Sequence, residues 1–258
     1  MKGISFTAAA VFILLLILTA CTDTDQDAVL QVRLTDTPAD YDEVLIDIQD
    51  VQIHMSDMED QGGWQSLQVN KGVYNLLDFR NGMDTLLATI ELPPGTVSQM
   101  RLVLGSENRI RANGEIHGMD TPSAQQSGLK LNIHANLSAG IVYTIWIDFD
   151  AYRSVVKKGN GGYSLKPVVR TFTKATSGAI SGVVSPADAM PYVMAAMNGD
   201  TMGTYAGEDG HFLLKALEEG MYSVIFKPLN TYRDTTIDNV SVTTGAVTKM
   251  DTIHFRPQ

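Results

Sequence analysis

The stretch "IVYTIWIDFDAY", residues 141–152, decides the fold. Ile141, Tyr143, Ile145, Ile147 and Phe149 are apolar at every second position. A period of two puts all five on one face of an extended chain, whereas a helix would spread them around its circumference. The same alternation recurs upstream at Leu30, Val32 and Leu34, and at Val44, Ile46 and Ile48. There the phase slips at Gln49-Asp50 and resumes at Val51, Ile53 and Met55. A one-residue slip inside a long strand predicts a β-bulge. Residues 97–104 and 129–137 read as further strands. Asn113-Gly114 and Asn160-Gly161 predict tight hairpins, because both residues of each pair tolerate positive φ. Pro93-Pro94-Gly95 ends one unit before the next strand. Residues 83–90 and 151–156 read as short helices or single helical turns. Short strands with frequent turns predict a β-sandwich over residues 28–173.

Beyond it, "TKATSG" (173–178) is small and polar and reads as a hinge. Alternation returns at 180–184, 192–197, 211–214, 222–226, 237–242 and 247–255. The chain is thus expected to be all-β, with two consecutive β-sandwich domains at 28–173 and 178–258.

Four quoted stretches carry a resemblance. "LTDTPADYDEVLIDIQDVQIH" (34–54), "LPPGTVSQMRLVL" (92–104), "TPSAQQSGLKL" (121–131) and "DFDAYRSVVKKGNGGYSLKPVVR" (148–170) occur in that order. Together they resemble the domain of unknown function DUF4382. Ala124 stands where that pattern has glycine, and Val97 where it has tyrosine. The resemblance implies a secreted or lipid-anchored prokaryotic protein and no particular reaction. The second segment carries "GAISGVV" (178–184), Asp209-Gly210-His211-Phe212 running on to Phe226, and Val240 to Gly245. It resembles the carboxypeptidase regulatory-like domain, which implies a seven-stranded transthyretin-like sandwich with an accessory role. Asp209-Gly210 is then expected to start the central hairpin.

The N-terminus reads as an address. Lys2 precedes a nearly unbroken apolar run from Ala8 to Ala20, too short to span a bilayer comfortably. Leu18-Thr19-Ala20-Cys21 resembles a bacterial lipobox. That resemblance implies a signal peptide at 1–20, cleavage between Ala20 and Cys21, and a diacylglycerol and acyl chain, of the palmitate type, on Cys21. Cys21 is the chain's single cysteine, so no internal disulfide is available. Residues 21–27 then form an acidic tether. Thr22 rather than Asp after the cysteine, with Asp23, Asp25 and Asp27, implies an outer-membrane lipoprotein, lipid-anchored and facing the cell surface.

Removing residues 1–20 takes away one cation, Lys2, so the formal charge falls from −10 to −11. An acidic body argues against nucleic acid, which selects basic patches. The expected partners are the membrane, through the anchor, and an envelope glycan or protein. No cofactor is expected, although calcium is considered. Asp148 and Asp150 lie two apart on a strand and face one way, as paired carboxylates for a metal or for acid–base work would. The bland alternative is that Asp150 caps the helical turn after it. Ser123, Gln125, Gln126 and Ser127 form a polar loop suited to a sugar, or to satisfying its own backbone. Asp36, Asp40, Asp42 and Glu43 are a second acidic group. Tyr192, Tyr222 and Tyr232 are candidates for a sugar platform. "KKGNGG" (157–162) matches neither glycine-rich phosphate motif, no GxSxG occurs, and the five histidines show no metal-binding spacing. The reading is a non-enzymatic envelope protein. A metal-dependent hydrolase using the acidic groups, and a structural spacer or assembly subunit, stand as alternatives.

Overall fold

The computed structural model describes residues 27–37, 39–56, 64–121, 127–229 and 232–257. The signal segment, Ala20, Cys21 and the tether up to residue 26 lie outside these residues, as do Ser123, Gln125 and Gln126.

The first sandwich is built from β1 (Ala28–Thr37), β2 (Glu43–Met55), β3 (Trp64–Ser66), β4 (Gln68–Val69), β5 (Gly72–Asn75), β6 (Thr85–Leu92), β7 (Gly95–Leu104), β8 (Arg109–Ala112), β9 (Glu115–Asp120), β10 (Leu129–Leu137), β11 (Val142–Asp150), β12 (Val155–Lys157), β13 (Tyr163–Leu165) and β14 (Val169–Ala175). One sheet runs β14-β11-β1-β6-β4. The other runs β10-β7-β2-β8-β9-β13-β12, with β3 and β5 also on β2. The stretch that opens the sequence reading is the spine of the first sheet. Ile145, Ile147 and Phe149 are fully buried between the sheets, each burial stabilising by about 1.5–3 kcal/mol. β11 runs parallel to β1, pairing Val29 with Val142 through Thr37 with Asp150.

The predicted bulge is present: the β2–β7 register shifts between Ile48 and Asp50. Asn113 and Gly114 both adopt positive φ, 51° and 80°, and form the two-residue turn between β8 and β9. The second Asn-Gly differs. Only Gly161 is left-handed, at φ 87°, and its N–H donates to the Lys158 carbonyl while Lys158 N–H donates to Gly162. The turn is longer because Asn160 spends its side chain on the Gly162 N–H. Residues 83–90 correct the reading outright. They fall largely in β6, which pairs with β1 on one side and β4 on the other. Met, Leu and Ala favour helix locally, but pairing with a buried strand overrides that preference. The helical turn lies instead at Leu76–Phe79, capped by Asn75.

The second sandwich comprises β15 (Gly178–Ser185), β16 (Tyr192–Met197), β17 (Asp200–Tyr205), β18 (His211–Leu217), β19 (Gly220–Lys227), β20 (Thr235–Val242), β21 (Val247–Lys249) and β22 (Ile253–His254). β18-β15-β21 form one sheet, with β22 also on β15, and β17-β16-β19-β20 the other. β21 and β22 pair with successive parts of β15, so they act as one interrupted edge strand. Ile180, Val193, Val224 and Phe226 fill the core, where Phe212 meets Phe226 edge-on. β18 and β19 do not pair with each other: each belongs to a different sheet. Asp209-Gly210 leads from β17 into β18, which also lie in different sheets, so it carries the chain from one sheet to the other rather than starting a hairpin. Gly210 is required there, since a Cβ would lie 2.6 Å from the Val184 carbonyl oxygen.

The expected hinge is a packed joint. Ser177 is 5% exposed, and its hydroxyl accepts the Val142 N–H at 2.8 Å. Gly245 N–H donates to Ser177, and Ala216 N–H donates to Gly140. Ala179 and Leu213 of the second sandwich belong to the first sandwich's apolar cluster. Small side chains in "ATSG" permit this close approach. They read as flexible only when the neighbours are unknown.

Candidate ligand-binding face

Asp150 and Asp36 share one structural task. Asp150 Oδ1 accepts from Arg153 N–H at 2.9 Å, and Asp36 Oδ1 accepts from Ala151 N–H at 3.0 Å. Both satisfy free amides at the start of the helical turn Ala151–Ser154. Ser154 closes that corner, its hydroxyl accepting from Val168 N–H at 2.8 Å. The other acidic residues disperse: Asp42 accepts from Gly114 N–H, and Glu43 pairs with Arg111. Among the described residues no group of three or more His, Cys, Asp or Glu is placed to hold a metal ion.

Asp148 belongs to a different arrangement, on the outer face of the five-stranded sheet. Cross-strand partners share a face. The register therefore sets Phe172 of β14, Trp146 of β11 and Arg33 of β1 in one row, with Arg170, Asp148 and Thr35 in the next. Trp146 and Phe172 stack with centroids 5.1 Å apart and planes 10° apart. Asp84 fixes the row from the far side. Its carboxylate accepts from Trp146 Nε1 at 2.8 Å and from Arg33 Nε at 2.7 Å. Arg170 pairs with Asp148 at 2.7 Å beside the aromatic stack. Phe172 leaves 49% of its surface to solvent. The result is a stacked aromatic pair, Phe172 its more exposed member, held at the Trp146 end by Asp84 and bordered by planar hydrogen-bonding groups.

Asp148 is visible in the sequence as a charge on a strand, but its setting is not. A signal was available: the chain has two tryptophans, and Trp146 stands on the polar phase of its alternation. Trp64 is likewise on an outer face, that of the larger sheet, with the Arg101 guanidinium 4.0 Å above its ring. Arg101 also donates to Gln52, and Gln52 and Ser66 both donate to Asp50. Ser127 is exposed on the approach to β10. The next residue, Gly128, sits on Arg101, about 30 Å along β2 from the Glu43 end, taking nine residues at 3.3 Å each. Ser127 and the acidic residues near Glu43 thus do not converge. Nor do the three tyrosines: Tyr222 is buried and donates to Glu218, Tyr192 packs on Tyr205, and Tyr232 packs on Phe255.

Fold and face together define an all-β protein of two sandwiches whose candidate site is a surface rather than a catalytic cleft. The chain belongs to the family described as Domain of unknown function (DUF4382), whose model matches residues 27–167. β14, which carries Phe172 and Arg170, lies beyond that match. No similar sequence was found among curated proteins. Solved structures similar in part include GBS52, the minor pilin of Streptococcus agalactiae, at 12% identity over 88% of this chain and 96% of that one, with a TM-score of 0.24. BcpA, the major pilin subunit of Bacillus cereus, is 12% identical over 90% and 71%, with a TM-score of 0.27. A type II cohesin-X-dockerin complex from Acetivibrio cellulolyticus is 22% identical over 31% of this chain, with a TM-score of 0.26. The match takes in 58% of that cohesin-X-dockerin chain. At TM-scores this low the likenesses bear on neither fold nor function.

Proposed function

We propose that this chain is a non-enzymatic, lipid-anchored protein of the bacterial cell envelope, held in the outer membrane through Cys21, that binds an envelope glycan on its first sandwich. The observation that carries the binding role is the Trp146–Phe172 stack, exposed between two arginine–carboxylate pairs. Sugars present C–H faces that settle on aromatic rings, and hydroxyls that match planar carboxylate and guanidinium groups. The lipobox resemblance at Leu18–Cys21 supports the location. The second sandwich, on its resemblance to the carboxypeptidase regulatory-like domain, serves as an accessory module. Glycan-array binding of the purified protein tests the role, with Trp146→Ala and Phe172→Ala as controls. The expected result is binding lost in both variants. Binding that survives both, or none to any glycan, refutes it. Metabolic lipid labelling lost on Cys21→Ser tests the anchor independently.

A spacer or assembly role is the second reading, favoured by one observation. The joint at Ser177 and Leu213 makes the two sandwiches share packing, as a rigid element would. Concentration-dependent association in light scattering is its expected signature.

A further inference from the structure

A cavity of about 580 Å³ lies away from the aromatic face, lined by Asp120, Leu129, Lys158, Ser164, Leu165, Lys166 and Pro167. This is within the usual size range of small-ligand sites. Its walls are fixed by pairing. β13 lies between β12 and β9, setting Ser164 opposite Asp120, and Lys166 N–H donates to the Ser154 carbonyl. Leu129, Leu165 and Pro167 supply an apolar surface. Two lysines face one carboxylate. Lys158 Nζ is 2.5 Å from Asp120 Oδ2, and Lys166 makes no ion pair among the described residues. The surrounding sequence is locally cationic: residues 151–169 contain Arg153, Lys157, Lys158 and Lys166 and no acid, in a chain of net charge −10.

We propose that this cavity binds a small amphiphilic anion, a carboxylate or phosphate monoester carrying an apolar body. The body rests on Leu129, Leu165 and Pro167, and the anionic group is held by Lys166 and Lys158. Asp120 competes with the ligand for Lys158 and so sets the affinity. An acidic protein offers few such places, and a charge partner already stationed at the lysine distinguishes an anion site from a neutral one.

Calorimetry on the purified protein with hexyl phosphate, hexanoate and hexanol tests this. The two anions are expected to bind saturably, and more weakly as salt rises. Hexanol is expected at least about ten-fold weaker, and Lys166→Gln to lose about ten-fold for the anions. Asp120→Asn, by freeing Lys158, is expected to tighten them. Both substituted side chains are exposed, and an unchanged melting temperature confirms folding. Sedimentation with phosphatidylglycerol against phosphatidylcholine vesicles separates a lipid headgroup from a free anion. The same opposite responses of the two variants on anionic vesicles also support the site. Equal binding of hexanol and hexyl phosphate, weakening by Asp120→Asn, or no binding in either arm overturns it. None of these outcomes depends on Trp146 or Phe172.

Discussion

Gly105 and Asp47 are locked together in a way that a double-mutant cycle can read. A Cβ on Gly105 would lie 1.9 Å from Asp47 Oδ2 and 2.5 Å from its Cγ. Asp47 is 4% exposed. Its carboxylate accepts from Gln49 Nε2 at 2.5 Å and from Glu107 N–H at 3.1 Å, while its own N–H donates to the buried Asn108. Gly105→Ala must therefore displace the carboxylate. Overpacking costs about 1–3 kcal/mol and a lost bond to a charged acceptor about 1.5–3. The reduced freedom of the unfolded chain returns about 0.4–1 kcal/mol. The net expectation is a loss of about 3 kcal/mol. Asp47→Ala alone should cost about 2 kcal/mol, because it leaves the Glu107 N–H without its acceptor. In that background the added Cβ meets only Gln49 Cγ, at 2.9 Å and on a flexible side chain, so Gly105→Ala should then cost about 1 kcal/mol, a coupling of about 2 kcal/mol. Urea denaturation of the four proteins measures this, with the shift appearing in the midpoint at constant slope. If the two single costs simply add, to within about 0.5 kcal/mol, the steric account of Gly105 is wrong.

Other consequences can be checked alongside. Asp150→Ala should cost about 1 kcal/mol of stability through the lost cap, and Asp150→Asn much less, in the same urea assay. Leu213→Ala, at 7% exposure in the joint, should cost about 2–5 kcal/mol and split one calorimetric transition into two. Burial raises the phenols of Tyr41, Tyr74 and Tyr222, so three of the nine tyrosines should ionise late in an ultraviolet titration. For a raised phenol the folded state favours the neutral form. That stability is intact below the unfolded value of 10.0 and is lost as pH climbs through the higher folded pKa. A single titration step at 10.0 would contradict the burial of these rings.

Alternation made most strands legible because the two sheets bury one face of each. Val51, Ile53 and Ile147 announce their burial in every second residue. The pairing partners were not legible, since period two says which face a residue takes but not which strand lies beside it. Hence the parallel β1–β11 contact, and β6 where a helical turn was expected, came only from tertiary structure. β18 and β19 mislead for the same reason, as neighbours in sequence that part into different sheets. At the site, Asp148 stood out as a charge on a strand. Its partners Arg170, Trp146 and Phe172 are assembled by cross-strand register, which no local window contains.

The chain's first described residue has a neighbour that matters for posture. The Asp27 carbonyl accepts from Gly140 N–H, and Gly140 packs on Leu213 and Ala179 of the second sandwich. The polypeptide therefore enters its folded body at the waist, between the two halves, and not at a tip. On the proposed anchoring at Cys21, residues 21–26 would span at most about 20 Å. A molecule moored amidships on so short a line keeps both ends close to the bilayer. So anchored, it would lie along the surface like a boat at its cleat, and a tug on a bound partner would be felt first as a turning moment at the joint.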